Sequence, residues 1–264
     1  MKKTGIVLSG GGARGIAHLG ILKALEESGI KPDIIAGSSA GGIVGAFYAA
    51  GYSPDEILEI VKHADLFSIF NLKFYQGIFS MNAFDKIYLK HMPHNSFEKL
   101  NIPLYVAATD IMKGETVYFS SGELAMALKA TSCVPIAFQP VVYQGVELLD
   151  GGILNNLPIE PLLGKCDAII GVHVNSIDRT VDHVHTKDII DRSFHLMEAT
   201  AVRHKVDQFD LFIDPPNMSR FGMFDIASAD EIFKVGYEYA QSIKDRIELF
   251  KAGLIDLLKT DEND

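Results

Sequence analysis

Two short apolar runs near the N-terminus each break into a glycine-rich turn and then into a helix-forming stretch. This doublet constrains the fold more than any other feature of the chain. The first run, Thr4–Ser9, is closed by Gly10-Gly11-Gly12-Ala13-Arg14-Gly15, and the second, Ile34-Ile35-Ala36, by Gly37-Ser38-Ser39-Ala40-Gly41. Short apolar runs bounded by glycine read as buried strands. A helix is expected from Ala13 to Ser28, with Ile16, Leu19, Leu22 and Leu25 on one face and Gly29 as its stop. Another is expected over Ile43–Ala50. Ser53-Pro54-Asp55-Glu56 is a capping box with proline at the first helical position, so a third helix starts there.

Further strands are expected at Leu104–Thr109, Thr116–Ser120, Val141–Tyr143, Glu147–Leu149, Ala168–Val174 and Leu211–Ile213, and helices over Asn82–His91, Glu123–Ala130, Lys187–Val206 and Ala229–Leu258. Buried strands alternating with amphipathic helices argue for an α/β sandwich around a largely parallel or mixed sheet. No repeat, linker or shift in composition divides the chain. One domain over residues 1–264 is expected, with residues 259–264 as a frayed acidic tail.

The formal net charge is −10 with no sustained Lys/Arg block, which argues against nucleic acid as a partner and against strong electrostatic docking on anionic lipid. Cys133 and Cys166 have no metal-ligand spacing and form no framework of bridges, so a reduced, cytoplasmic setting is expected. The apolar run Ile6-Val7-Leu8 is too short for a secretory signal, and the longer run over residues 34–50 is interrupted by serines and glycines.

Gly10, Gly12 and Gly15 spell G-x-G-x-x-G, which in a dinucleotide-binding protein needs an acidic residue at the end of the second strand. That place is taken by Gly37-Ser38-Ser39, and Asp33 lies before the strand instead. What stands there is G-x-S-x-G between a strand and a helix, the setting of a nucleophile elbow: Gly37 and Gly41 let the backbone pass close to its neighbours and Ser39 sits at a helix N-terminus. If the two strands are parallel neighbours, both turns open at the same edge of the sheet. The N–H groups of Gly10, Gly11 and Gly12 are then placed for the oxyanion of a tetrahedral intermediate on Ser39 Oγ.

A serine nucleophile needs a base. His195 and His204 fall inside an expected helix, His183 and His185 in a polar loop, and His173 in a strand where a core histidine is the ordinary reading. Asp150 is the other candidate: it ends the strand Glu147-Leu148-Leu149 and opens Asp150-Gly151-Gly152. Partial burial there would raise its basicity enough to accept the serine proton.

Taken in order, G-G-G-A-R-G, G-S-S-A-G and D-G-G closely resemble the motifs of the patatin-like phospholipases, the small bacterial members most of all. The stretches Lys129–Pro140, Asp150–Pro158 and Phe224–Asp230 extend the resemblance over nearly the whole chain. It implies a three-layer α/β/α fold and hydrolysis of the acyl esters of phospholipids or lysophospholipids through an acyl-enzyme. It also implies a Ser–Asp dyad of Ser39 and Asp150, an oxyanion hole around Gly11 and Gly12, and neither metal nor organic cofactor. Arg14 matches the motif arginine, with orienting the loop or meeting a substrate phosphate as its two readings. Residues 63–84 gather Phe67, Ile69, Phe70, Leu72, Phe74, Tyr75, Ile78, Phe79 and Phe84 with few charges. They are expected either as a pair of core-facing helix segments joined at Gly77 or as a mobile flap that lines an acyl-chain tunnel or dips into a membrane surface. The rival functions are a non-catalytic lipid-binding module on the same fold and a nucleotide-binding protein. The sequence leaves the oligomeric state open.

Overall fold

The computed structural model describes residues 3–64, 81–177 and 189–254. Among them eight strands form one sheet: β1 (Thr4–Leu8), β2 (Ile34–Ser38), β3 (Leu104–Asp110), β4 (Glu115–Phe119), β5 (Val141–Tyr143), β6 (Val146–Asp150), β7 (Ala168–Val172) and β8 (Leu211–Ile213). The spatial order is β5-β6-β3-β2-β1-β7-β8, with β4 also paired to β3. The centre, β3-β2-β1-β7-β8, is parallel, and the β4, β5 and β6 pairings are antiparallel.

Alternation along the central strands explains the layers. In β1, Ile6 and Leu8 face one core while Val7 faces the other; in β7, Ile170 and Val172 face the first and Ile169 the second. A strand that buries both faces needs helices on both sides of the sheet. The larger core receives α1 (Ala17–Glu27), α2 (Ala40–Ala49), α3 (Pro54–His63), α4 (Asp85–His91), α5 (Leu124–Thr131), α7 (Ala229–Ser242) and α8 (Lys244–Lys251). On the opposite face Val202 of α6 (Ile189–Arg203) packs with Val7, Ile34 and Ala36. The three-layer α/β/α expectation holds.

One detail of the sheet places the site. Along β3, residues 106–110 pair with β4 on one edge, so β2 and β6 share the other. There Ser38 is opposite Ala107 and Asp150 is opposite Ala108. The parallel strand β2 stops and the antiparallel strand β6 takes over within one residue. The residue that leaves β2 and the residue that ends β6 therefore meet.

Several element boundaries differ from expectation. The turn after β1 enters its helix through a 3-10 segment, Gly12–Ile16, and α-helix begins only at Ala17. Helix α2 starts at Ala40 rather than Ile43, which makes Ser39 its N-cap. The region expected as helix from Asn82 is 3-10 over Met81–Phe84 and α only from Asp85. The helix expected over Ala229–Leu258 is two: Ile243, at φ −104° and ψ 23°, leaves helical geometry between α7 and α8. The second ends before Gly253, which has φ 75°. The capping box is formed as expected, with Ser53 Oγ accepting from Glu56 N–H and Glu56 accepting from Ser53 N–H. Residues 259–264, His183, His185 and residues 65–80, including the aromatic run from Phe67 to Phe79, lie outside the described residues.

Candidate active site

Ser39 leaves β2 with φ 51° and ψ −125°, a backbone conformation that L side chains rarely adopt and that costs of order 1–3 kcal/mol. The turn holds because its neighbours press on it. A Cβ added to Gly41 would stand 2.3 Å from the Leu8 carbonyl oxygen, so only glycine lets α2 approach β1 this closely. Ser39 N–H donates to Thr131 Oγ1 at 2.7 Å, and the Thr131 hydroxyl donates to the Ala107 carbonyl. The elbow is thereby tied to β3 from the last turn of α5.

Ser39 Oγ donates to Asp150 Oδ2 at 2.7 Å. The other carboxylate oxygen, Oδ1, accepts Gly152 N–H at 2.7 Å, and the Asp150 N–H donates to the Cys133 carbonyl at 2.9 Å. Asp150 is fully buried. Desolvation pushes its carboxyl up to about 7, with the Glu198 charge adding and the hydrogen bonds from Ser39 and Gly152 opposing. A carboxyl poised near neutrality can take a proton and return it within one cycle.

The glycine loop stands against the serine. A Cβ on Gly10 would be 3.0 Å from Ser39 Cβ. The Gly10 N–H, however, donates to Asn156 Oδ1 at 2.9 Å, which removes it from the expected oxyanion hole. Among the described residues the Gly11 and Gly12 N–H groups have no acceptor, so of the three expected donors these two stay unfilled. The loop is held from behind: Ala13 N–H donates to the Met223 carbonyl at 2.8 Å and Arg14 Nε to the Phe221 carbonyl at 2.8 Å. Arg14 is 4% exposed, so of its two readings the structure favours fixing the loop over meeting a phosphate.

The described histidines lie elsewhere in the hydrogen-bond pattern. His18 Nε2 is 2.8 Å from the Ser9 carbonyl and burial lowers its pKa to about 4. His173 Nδ1 is 3.2 Å from Asp214 Oδ1, its ring stacked on Phe212; His195 Nδ1 is 3.2 Å from Glu198 Oε2. His204 is exposed. Four residues that shape the site escaped the sequence reading: Thr131, Asn156, Asn175 and Glu198. Thr131 and Asn156 fall within stretches that resemble family motifs, but nothing local marks them as partners of Ser39 and Gly10. Among the described residues no group of three or more His, Cys, Asp or Glu side chains is arranged to hold a metal ion.

An apolar cavity of about 180 Å³ opens beside the serine. Its lining includes Gly12, Ser39, Val44, Phe84, Val134 and Phe138. Phe84 is the one member of the expected aromatic stretch that can be placed there.

The patatin-like phospholipase family model matches residues 6–163, and the chain belongs to this family. All three motifs lie inside the matched span. Lysophospholipase NTE1 of Coccidioides immitis is 29% identical over 285 residues, which are 94% of this chain and 18% of that protein. Lysophospholipase nte1 of Neurospora crassa is 28% identical over 308 residues, 99% of this chain and 19% of the relative. The chain thus spans about a fifth of the length of these relatives. Among solved structures, VipD from Legionella pneumophila shares the fold with a TM-score of 0.61 and 17% identity, over 92% of this chain and 67% of that one. The ExoU–SpcU complex of Pseudomonas aeruginosa gives 0.53 at 17% identity, over 94% and 52%.

Proposed function

We propose that this chain is a serine hydrolase of fatty-acyl esters in phospholipids or lysophospholipids, working as one patatin-like domain over residues 1–264. The observation that carries the reading is the 2.7 Å hydrogen bond from Ser39 Oγ to the buried Asp150, made at the wall of an apolar cavity. As Ser39 Oγ attacks the ester carbonyl, its proton moves to Asp150 Oδ2 and the carbonyl oxygen takes the negative charge towards Gly11 and Gly12 N–H. The amino end of α2 adds its dipole to that stabilisation. Collapse breaks the bond to the leaving alkoxide, which receives the proton from Asp150. Water, activated by the same carboxylate, then releases the fatty acid from Ser39. The cavity accommodates the acyl chain, where burial of each CH₂ contributes about 0.8 kcal/mol.

The names of the fungal relatives support a lysolipid as substrate. Two free cysteines fit a reduced, cytoplasmic setting, and among the described residues no helix is long and apolar enough to cross a membrane. Transient contact with lipid at a membrane surface belongs to the same proposal.

Labelling with a fluorophosphonate tests the reading. One adduct is expected on intact protein, absent in Ser39→Ala, together with hydrolysis of p-nitrophenyl esters. Singly replacing His173, His195 or His204 should leave turnover within about tenfold, since loss of a general base costs roughly 10²–10⁴. A protein that takes no label but gains thermal stability with NAD or FAD would be a nucleotide binder instead.

A further inference from the structure

Behind the dyad lies a second buried carboxylate that the reaction above does not use. Glu198, on α6, is 2% exposed and falls outside the family-matched residues 6–163. Its Oε2 accepts from Asn175 Nδ2 at 3.1 Å and lies 3.2 Å from His195 Nδ1. Asn175, 1% exposed, gives its other Nδ2 hydrogen to the Gly10 carbonyl at 2.8 Å. A chain of hydrogen bonds therefore runs from Glu198 through Asn175 to the glycine loop. The Oε1 atom lies against both turns: a Cβ built on Gly10 would stand 3.3 Å from it, and one built on Gly152 would stand 2.6 Å from it and 3.0 Å from Asp150 Oδ1. The two carboxylates face each other across one glycine.

Burying a carboxylate costs several kcal/mol of desolvation, and a second one beside the first adds repulsion. Packing alone gives no reason for this arrangement, since an apolar side chain would fill the space without either cost. The arrangement does two things for the site. It pins the loop that carries the Gly11 and Gly12 donors, and it sets a charge behind the base.

We propose that Glu198 is a positioning residue of this site: through Asn175 it fixes the glycine loop beside Ser39, and its carboxylate stands behind Asp150 across Gly152. The groups facing the Asp150 carboxyl are Ser39 from the elbow, the Gly152 N–H from the turn after β6, Cys133 from the segment after α5 and Glu198 from α6. Burial and the Asp150 charge push the Cys133 thiol up to about 12, so it stays neutral where Asp150 titrates. Facing Glu198 are Asp150, Asn175 and, from its own helix, His195.

The inference rests on the proposed hydrolase reading, and the rate of fluorophosphonate labelling against pH separates the two. A wild-type protein that takes no label fails that reading. With a labelled wild type, Glu198→Gln keeps an acceptor for Asn175 but loses the charge. Its acid limb should move down by about one to three pH units, three being the full effect of two charges a few ångströms apart at an effective dielectric near 20. Asn175→Ala leaves the charge and cuts the link, so the midpoint should hold while the plateau rate falls about tenfold. Should Glu198→Gln not fold, Glu198→Asp retains the charge on a shorter arm and should behave as Asn175→Ala does. A folded Glu198→Gln with the wild-type midpoint overturns the proposal. So does a plateau rate that neither Asn175→Ala nor Glu198→Asp lowers.

Discussion

At the end of β1 the chain turns through three glycines and leaves the Gly11 and Gly12 N–H groups without an acceptor among the described residues. At the end of β2 it turns through Gly37, Ser38 and Ser39, and gives the serine N–H to Thr131. The two turns have the same local grammar of strand, glycine and helix, and they lie on neighbouring parallel strands at one edge of the sheet. Their hydrogen-bond economies are opposite. The first is clamped from outside, by Met223, Phe221, Asn156 and Asn175, so that two inner donors stay unfilled. The second gives its serine N–H to Thr131 of α5, which holds the strained Ser39 with its hydroxyl on Asp150. A glycine turn keeps its inner donors unfilled when its first and following residues carry the anchoring.

The contrast predicts where rate and stability separate. The largest effect should come from the partner of the second turn. Asp150→Asn keeps the shape of the side chain but cannot accept the serine proton, so kcat should fall roughly 10²–10⁴. In the wild type the rate should climb with pH along a limb centred near 7, where the Asp150 carboxyl ionises. Stability should run the other way. The carboxyl rises from 3.8 to about 7 in the fold, so the folded state holds its proton more tightly. That stabilisation is complete below about pH 4 and is lost as pH rises through 7. The neutral asparagine escapes the loss, so at pH 8 Asp150→Asn should melt above the wild type, with the gap narrowing towards pH 4. A folded, nearly fully active Asp150→Asn would remove the aspartate from the reaction.

Next come two substitutions that set one turn against the other. Gly12 has φ 56°, and a Cβ there would stand 2.3 Å from the Met223 carbonyl oxygen. Gly12→Ala should shift the donor pair and lower kcat by roughly 10²–10³ with KM little changed. Thr131→Val should do the reverse. It strands the buried Ser39 N–H, at about 1–3 kcal/mol of folding stability, while kcat falls no more than about tenfold. Steady-state kinetics paired with urea unfolding would check both. If both variants lose stability and neither loses rate beyond that, the two turns are structurally alike and the contrast fails.

The three motif stretches were legible because each is local: a strand end, a required glycine and a reactive side chain fall within six residues. Asp150 was legible for the same reason, since it ends an apolar run before two glycines. Its meeting with Ser39 is legible only through the resemblance to the family motifs, because it depends on β2 and β6 abutting along one edge of β3, and no spacing in the chain records the register of an antiparallel insertion. Thr131, Asn156 and Glu198 acquire their roles only from what packs against them; on its own helix Glu198 reads as an ordinary charged residue. Gly10 was assigned to the oxyanion hole on pattern, and the pattern could not show that Asn156 takes its N–H. The break at Ile243 likewise has no marker, as the apolar spacing continues across it.

The smallest expected effect concerns the cavity that both turns line, with Gly12 from the first and Ser39 from the second. Val134 lines it and is partly buried. Val134→Thr changes the shape little but sets a hydroxyl against the acyl chain, where it must either lose its hydrogen bond to water or turn aside. Acetate does not extend along the wall and should be hydrolysed as before. Longer esters gain about 0.8 kcal/mol, close to fourfold in rate, for each CH₂ they bury. Those that reach Val134 should lose a step of that size, so that kcat/KM plotted against chain length follows the wild type at short lengths and then flattens. The length at which the two curves part reports how far Val134 lies from Ser39 along the bound chain. An equal loss on acetate and on long-chain esters would mean that the substitution acts on the elbow through packing, and that the cavity does not receive the acyl group.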